Sequence, residues 1–208
     1  MGHYVITIAR GFGSGGKSIA MGLANELGIE CYEHRILALA SQYSGYDEAV
    51  LANYNEKIKG SYFMNKIGQI AGELGLHPMN TEFHANQIIF DIQSKIIREL
   101  AETQSCIIVG KCADYILKDY PDTVKIYIEA PREYCRKRIM KKQGVDEKQA
   151  DQLISSTDKY RAEYYQFYTN GNYWTNPINY DMTLNSEKIG HDNCIRVIKD
   201  YLKIRNLI

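Results

Sequence analysis

The sequence of 208 residues lacks an excess of either charge and lacks a long apolar run. Its 25 basic and 25 acidic side chains give a formal net charge of zero, whereas nucleic-acid-binding proteins usually carry a basic excess. No apolar stretch approaches the ~20 residues that a membrane-spanning helix needs. We therefore expect neither a nucleic-acid partner nor a membrane-embedded chain.

Cysteines are few and widely spaced. The five of them stand at positions 31, 106, 112, 135 and 194, and none forms a C-x-x-C pair. An odd number of separated thiols argues against a disulfide framework and against a zinc site. The first residues lead almost directly into an apolar run, so a secretory signal is not expected either. These features predict a cytoplasmic protein with reduced thiols.

What the sequence does contain is a phosphate-binding pattern near its start. Residues 11–18 read GFGSGGKS, a full match to G-x-x-x-x-G-K-[ST]. An apolar, β-branched run precedes the motif, and apolar positions at helical spacing follow it from Ile19 to Leu27. A strand, a glycine turn and a helix start are the context in which this pattern binds nucleotide phosphates. We prefer this interpretation to an ordinary glycine-rich turn.

The residue types of the motif indicate their chemistry. Glycines let successive backbone N–H groups converge on one point, and the start of a helix adds positive potential there. Lys17 supplies a mobile cation for the outer phosphates, and Ser18 supplies a hydroxyl ligand for Mg²⁺. The predicted phosphate-binding residues are Gly11, Gly13, Ser14, Gly15, Gly16, Lys17 and Ser18.

Further strands and helices alternate along the rest of the chain. Strands are predicted at 29–32, 106–110, 124–128 and 181–184, and helices at 36–40, 82–102, 113–117, 131–142 and 190–204. Gly28 is expected to stop the first helix, residues 144–146 break the helix at 131–142, and Asp146 or Ser156 is expected to cap the helices that follow. This alternation predicts one α/β domain with a parallel sheet and right-handed crossovers.

Two missing features narrow the function. The sequence has no N-K-x-D segment for guanine recognition, and no apolar strand ends in an aspartate. The strand at 106–110 instead runs into Lys111, and the strand at 124–128 runs into Glu129. A small phosphotransferase of the phosphate-loop (P-loop) class fits this combination better than a GTPase or a motor protein.

Several segments together resemble the cytidylate kinase-like family of nucleoside monophosphate kinases. The segments are Ile6–Gly16, Gly110–Asp114, Ala130–Met140, Thr157–Tyr165 and Asn179–Ser186, and the resemblance runs from about residue 4 to 205. The resemblance implies an adenylate kinase-like P-loop NTPase fold, a three-layer sandwich with a five-stranded parallel sheet in the order 2-3-1-4-5. It also implies a single domain over 1–208, with a helical monophosphate-binding insertion at about 34–85 and a lid at about 140–160.

The implied reaction moves the γ-phosphoryl group of ATP to CMP or dCMP with Mg²⁺ between the phosphates. In this resemblance the catalytic residues are Lys17, Arg138 and Arg161. The acceptor side is formed by Glu33, Lys111, Asp114 and Asp158. Nucleotides are then the expected partners.

Four positions differ from the residues that relatives usually carry. Lys111 and Cys135 stand where arginine is usual, Glu33 where aspartate is more frequent, and Ile154–Ser155 where an Arg-Asp pair begins the lid motif. Lysine is a point charge and lacks the planar fork of arginine. Two alternatives therefore stay open: a P-loop kinase for another small acceptor, and a nucleotide-binding regulatory protein without turnover.

Tyrosine is abundant, with 17 residues in the chain. An aromatic stripe runs through Tyr160, Tyr164, Tyr165, Tyr168 and Tyr173. Such a stripe stacks a base, packs against the core or forms a dimer surface. A homodimer is thus one expectation among these three.

Overall fold

The computed structural model of the protein describes residues 2–33, 36 and 81–208. Contacts along the chain divide it into two compact units, one formed by Met1–Glu33 with Leu100–Ile208 and the other by His34–Glu99. Most of the insertion predicted at 34–85 lies outside the described residues. The insertion and the mobility of the lid at 140–160 therefore stay predictions.

Five parallel strands form one sheet in the first unit. Their bounds are β1 Val5–Arg10, β2 Glu30–Tyr32, β3 Cys106–Val109, β4 Thr123–Glu129 and β5 Met182–Asn185. The strand order is β2-β3-β1-β4-β5, which confirms the predicted order. Val5 pairs with both Cys106 and Thr123, so β1 lies in the middle of the sheet. The loop that follows β1 therefore opens at the central carboxyl edge, where ligands of parallel sheets bind.

The described residues also form helices. They are α1 Gly16–Leu27, α2 Thr81–Thr103, α3 Ala113–Ile116, α4 Arg132–Gln143, α5 Glu147–Tyr168, α6 Ser186–Ile189 and α7 His191–Ile204, with a 3₁₀ turn at Pro177–Asn179. None of them is long and apolar enough to cross a bilayer.

The main core lies between one face of the sheet and the helices α1 and α7. Isoleucines and valines of the inner strands pack against Ile19 and Leu23 of α1 and against Ile195, Ile198 and Leu202 of α7. The last three residues recur at helical spacing, so α7 presents one apolar stripe to the sheet. On the opposite face, the ring of Tyr127 contacts those of Trp174 and Tyr180, with centroids 5.6 and 5.2 Å away.

Helix ends follow the predicted local chemistry, with one correction. Gly28 and Gly144 end α1 and α4 in the left-handed region. Asp146 caps α5 through a reciprocal pair with Gln149. Of the two candidate caps the structure uses Asp146 and not Ser156, because α5 runs without a break from Glu147 to Tyr168. The first cap suffices, and Ser156 instead donates its hydroxyl to the Leu153 carbonyl within that helix.

Replacing Ile126 by alanine tests the position of the core. Ile126 is fully buried, so we expect Ile126→Ala to lower the free energy of unfolding by about 2–5 kcal/mol in urea titrations. Ile178→Ala is the matched control because that side chain is 84% exposed, and its effect should stay within about 0.5 kcal/mol. Equal losses in the two variants would contradict this account of the core.

Candidate functional site

The phosphate loop joins the central strand to the first long helix. The strand β1 ends at Arg10 and α1 begins at Gly16, so the loop occupies five residues between them. Gly13 and Gly15 both have φ of 90°, a region that L-residues with side chains seldom adopt. A Cβ atom at Gly15 would overlap the His191 imidazole, and one at Gly13 would lie 2.9 Å from the Cys135 carbonyl oxygen. Glycine is thus required at both positions by conformation and by space.

Among the described residues, four backbone N–H groups of the loop and the helix start have no acceptor. They belong to Gly13, Gly15, Lys17 and Ser18, and no hydrogen bond of the described chain uses them. The neighbouring N–H groups are occupied: Gly11 donates to the Ile128 carbonyl at 3.0 Å and Phe12 donates to Asp158. Unpaired N–H groups at a helix start form an anion site with the helix dipole. This cradle is built for a phosphate.

The helix α5 holds the loop from one side. The Phe12 N–H donates to both carboxylate oxygens of Asp158, at 2.9 and 3.2 Å. Arg161, one turn further along α5, donates to the Arg10 carbonyl at 3.1 Å and to Asp158 at 3.2 Å. Burial raises the pKa of Asp158, while Arg161 and the Phe12 N–H lower it. The pair Asp158–Arg161 thereby connects α5 to both sides of Gly11.

Two other elements hold the loop through its carbonyl oxygens. The Arg138 Nε–H of α4 donates to the Gly13 carbonyl at 3.0 Å. The Ser186 hydroxyl, just after β5, donates to the Ser14 carbonyl at 2.5 Å. Ser14 itself points inward, because its hydroxyl donates to the Gly11 carbonyl at 2.8 Å. The predicted phosphate-binding residue Ser14 therefore shapes the loop through its side chain.

Glu33 neutralises two cations beside the loop. Its carboxylate forms an ion pair with Lys17, and it accepts from the Arg10 guanidinium at 3.3 Å. Burial and then the positive charge of Arg161 lower the pKa of Arg10 to about 10, although Glu33 opposes this shift. Lys17 stays 52% exposed. Glu33 therefore holds the lysine at the mouth of the loop, within reach of a phosphate.

These groups line one pocket of about 520 Å³. Its lining includes most of the predicted phosphate-binding residues, Glu33, Arg161 and the wall from Arg138 to Gln143 on α4. Within the described residues, neither Nη group of Arg138 donates a hydrogen bond. The pocket thus brings together the three predicted catalytic residues Lys17, Arg138 and Arg161 with the predicted acceptor residue Glu33.

Asp114 and Lys111 lie elsewhere in the same unit, outside that lining. Asp114 is buried and accepts the Tyr165 hydroxyl at 2.7 Å, and burial raises the pKa of its carboxyl. Lys111 and Cys112 both adopt positive φ, at 61° and 53°, in the turn after β3. The acceptor-side roles predicted for Asp114 and Lys111 stay predictions.

Sequence reasoning missed four residues around the loop. Arg10 and Glu129 had a signal, since each ends a strand at the carboxyl edge of the sheet. The Glu129 carboxylate lies against Gly11 and accepts from the Tyr127 hydroxyl at 2.7 Å. Ser186 and His191 gave no signal, because they follow the last strand and only the fold brings them to the loop.

A divalent cation finds few protein ligands here. The described residues hold no group of three or more His, Cys, Asp or Glu side chains that could bind a metal. Mg²⁺ in phosphoryl transfer needs only one or two protein oxygens beside the substrate phosphates. The Ser18 hydroxyl at the start of α1 lines the pocket and fits that role.

Comparisons with known proteins decide the family. The sequence matches the cytidylate kinase-like family over residues 5–188. The chain belongs to that family. This confirms the resemblance inferred from its motifs, and it makes the chain a nucleotide-binding P-loop kinase, that is, a phosphotransferase. None of the curated proteins matches it.

Solved structures of other proteins have a similar fold. A crystal structure of an uncharacterised protein from Eubacterium ventriosum is 26% identical, has a TM-score of 0.69, and the match covers 97% of this chain and 99% of that one. Shikimate kinase from Acinetobacter baumannii is 12% identical with a TM-score of 0.52, over 99% and 96% of the two chains. Shikimate kinase from Bacteroides thetaiotaomicron is 11% identical with a TM-score of 0.50, and the match covers 96% of this chain and 98% of that one. The two kinases show the fold that this chain shares.

Gly15→Ala tests whether the loop needs its glycine. We expect the dissociation constant for ATP in calorimetry to rise at least about tenfold, because the new Cβ overlaps His191 and the left-handed backbone costs about 1–2 kcal/mol. Gly28→Ala is the control for strain alone, since it has φ of 67° and nothing within 4 Å of the added atom. That control should lose stability and keep its ATP affinity. Wild-type affinity in Gly15→Ala would contradict the cradle.

Asp114 is tested by two variants. Asp114→Ala leaves the Tyr165 hydroxyl without an acceptor and should lower the free energy of unfolding by about 1–3 kcal/mol. Asp114→Asn keeps an acceptor and removes the buried charge. Because the folded state raises this pKa above 3.8, it binds the proton more readily than the unfolded state, and the wild type loses stability as pH rises through that window.

The advantage of Asp114→Asn over the wild type should therefore grow from about pH 4 upward and level off once the folded carboxyl is ionised. Urea titrations across that range measure the difference. A difference independent of pH would contradict the cause assigned to the raised pKa.

Proposed function

We propose that the protein transfers the γ-phosphoryl group of ATP to a nucleoside monophosphate, with CMP or dCMP as the preferred acceptor and Mg²⁺ as the cofactor. The observation that carries the donor side is the set of four N–H groups without acceptors, placed beside Lys17 in one pocket. Membership of the cytidylate kinase-like family supports the acceptor class.

The donor phosphates would bind at the loop. Backbone N–H groups of Gly13, Gly15, Lys17 and Ser18 receive phosphate oxygens, and Lys17 leaves Glu33 to neutralise the outer phosphates. Ser18 would hold Mg²⁺, which when bound neutralises the phosphate charges and orients them for transfer. No backbone rearrangement is needed for this role, since these four N–H groups have no acceptor among the described residues.

Arg138 and Arg161 would stabilise the group in transfer. Phosphoryl transfer needs little covalent chemistry from the protein, so positioning and charge neutralisation dominate. Arg138 reaches the pocket while its Nε–H is fixed on Gly13, and Arg161 is fixed by Arg10 and Asp158. Each guanidinium thus keeps further N–H donors in a fixed orientation, which is the arrangement that electrostatic catalysis requires.

On the acceptor side, Glu33 is the residue that the geometry supports best, because it faces the pocket. Asp158 is committed to Phe12 and Arg161, so its contribution would be to position those two groups. Asp114 would act through Tyr165 on α5, and Lys111 would add a positive charge after β3.

Glu33 also favours a second candidate, a kinase for a small hydroxyl acceptor. An alcohol must lose a proton as it attacks, and a carboxylate at the pocket wall can accept it, whereas a phosphate monoester is already ionised. The similarity in fold to shikimate kinases is consistent with this alternative and does not select it.

The decisive experiment is an ADP-release assay with ATP and Mg²⁺ over a panel of acceptors. The panel holds CMP, dCMP, UMP, AMP and GMP, together with sugars and shikimate-like acids. We expect the highest kcat/KM with CMP or dCMP. Turnover only with a sugar or a shikimate-like acid would select the second candidate. ATP binding without turnover on any acceptor would indicate a regulatory protein and overturn both.

Lys17→Ala should lower kcat/KM by roughly 10²–10³-fold, because a preorganised charge on the outer phosphates is lost. The control is Lys199→Ala, since Lys199 pairs with Glu26 at 2.8 Å between α7 and α1 and does not line the pocket. Thermal unfolding checks that both variants are folded. Unchanged kinetics in Lys17→Ala would falsify the mechanism.

A further inference from the structure

One wall of the pocket is the end of α4. Arg138, Lys141 and Lys142 all line the pocket, and the two lysines follow Arg138 by three and four residues. Residues at that spacing lie on neighbouring positions of one helix face. The helix ends at Gln143, and Gly144 turns the chain away with φ of 67°. The last turn of α4 therefore presents its basic side chains to the pocket.

The basic residues of α4 divide into two sets by their partners. Outside the pocket, Arg132 pairs with Asp151 at 2.8 Å, Arg136 with Glu147 at 2.7 Å and Lys137 with Glu133 at 2.7 Å. Within the described ranges, by contrast, none of the three that line the pocket forms an ion pair with a carboxylate. Each basic side chain on the outer faces of α4 thus has a carboxylate partner, whereas the three that line the pocket have none among the described residues.

Lysines in the last turn of any helix also stabilise its dipole. That role is fulfilled at any position of the turn and does not explain the division between paired and unpaired residues. The division follows the pocket, so it points to a ligand.

The pocket carries more positive charge than the phosphates of ATP neutralise. Six cationic side chains and one carboxylate, Glu33, line it. Glu33 is shared by Arg10 and Lys17, and Arg161 has Asp158. A triphosphate with one Mg²⁺ retains a charge of only about −2. About two of the positive charges of Arg138, Lys141 and Lys142 therefore remain for a second anion in the pocket.

We propose that Lys141 and Lys142, together with Arg138, bind the phosphate group of the acceptor, so that the acceptor is a phosphate monoester. This inference rests on the proposed function and deepens it by naming the residues that select an anionic acceptor. Lysines on flexible stems bind phosphate as point charges without a fixed fork.

The test is the double variant Lys141→Ala/Lys142→Ala, assayed with CMP and ATP. We expect KM for CMP to rise at least about tenfold, with KM for ATP and kcat within about twofold of the wild type. Raising the KCl concentration should weaken CMP binding less steeply in this variant than in the wild type. Lys141→Arg/Lys142→Arg should restore most of the affinity for CMP.

The matched control is Lys137→Ala/Lys148→Ala, which removes the same charge from exposed positions outside the pocket. It should leave both KM values unchanged, which separates local binding from the general field of the protein. Wild-type turnover with an unchanged KM for CMP in the pocket variant would overturn the lysine assignment alone. A rise in KM for ATP in place of CMP would assign the lysines to the donor and overturn it as well.

Failure of the proposed function gives a different result. In that case the wild type shows no turnover with any monophosphate, before any lysine is replaced.

Discussion

A loop that binds phosphate must keep its N–H groups unoccupied while its carbonyl oxygens are satisfied elsewhere, and the surroundings of this loop are arranged around that requirement. Three side chains from distant elements all donate to carbonyl oxygens: Arg161 to Arg10, Arg138 to Gly13 and Ser186 to Ser14. In the opposite direction, the Asp158 carboxylate accepts from the Phe12 N–H and the Ile128 carbonyl accepts from the Gly11 N–H. The contacts thereby fix the backbone and leave the donors facing the pocket.

The charged side chains beside the loop become more exposed from the interior to the mouth of the pocket. Arg10 is largely buried and its pKa falls to about 10, whereas Lys17 is half exposed. Glu33 joins the two and prevents their mutual repulsion from opening the site when no anion is present. Electrostatic interactions in a partly buried site are stronger than in water. A phosphate that binds here therefore interacts with charged groups that are already in place.

Local structure was predictable wherever local chemistry decides it. The strand–glycine–helix sequence around Lys17, the cap at Asp146 and the stop at Gly28 all depend on neighbouring residues, and the structure has them. Ser156 shows the limit, because a good capping residue stays inside a helix that already has a cap. The contacts of Asp158 with Phe12 and of Ser186 with Ser14 span 146 and 172 residues, so no local pattern indicates them. That Lys141 and Lys142 have no carboxylate partner among the residues with described positions is likewise visible only once their neighbours are placed.

Ser186 has a consequence for the order in which the site forms during synthesis. The loop at 11–18 is synthesised before the groups that fix its carbonyl oxygens, which come from α4, α5 and the residue after β5. A nascent chain that stops before Ser186 carries the complete motif without the frame that orders it. Contacts of such separation also slow folding, since a long chain must close before they form. The loop is therefore made before the residues that order it, and it reaches its binding conformation only after they have folded.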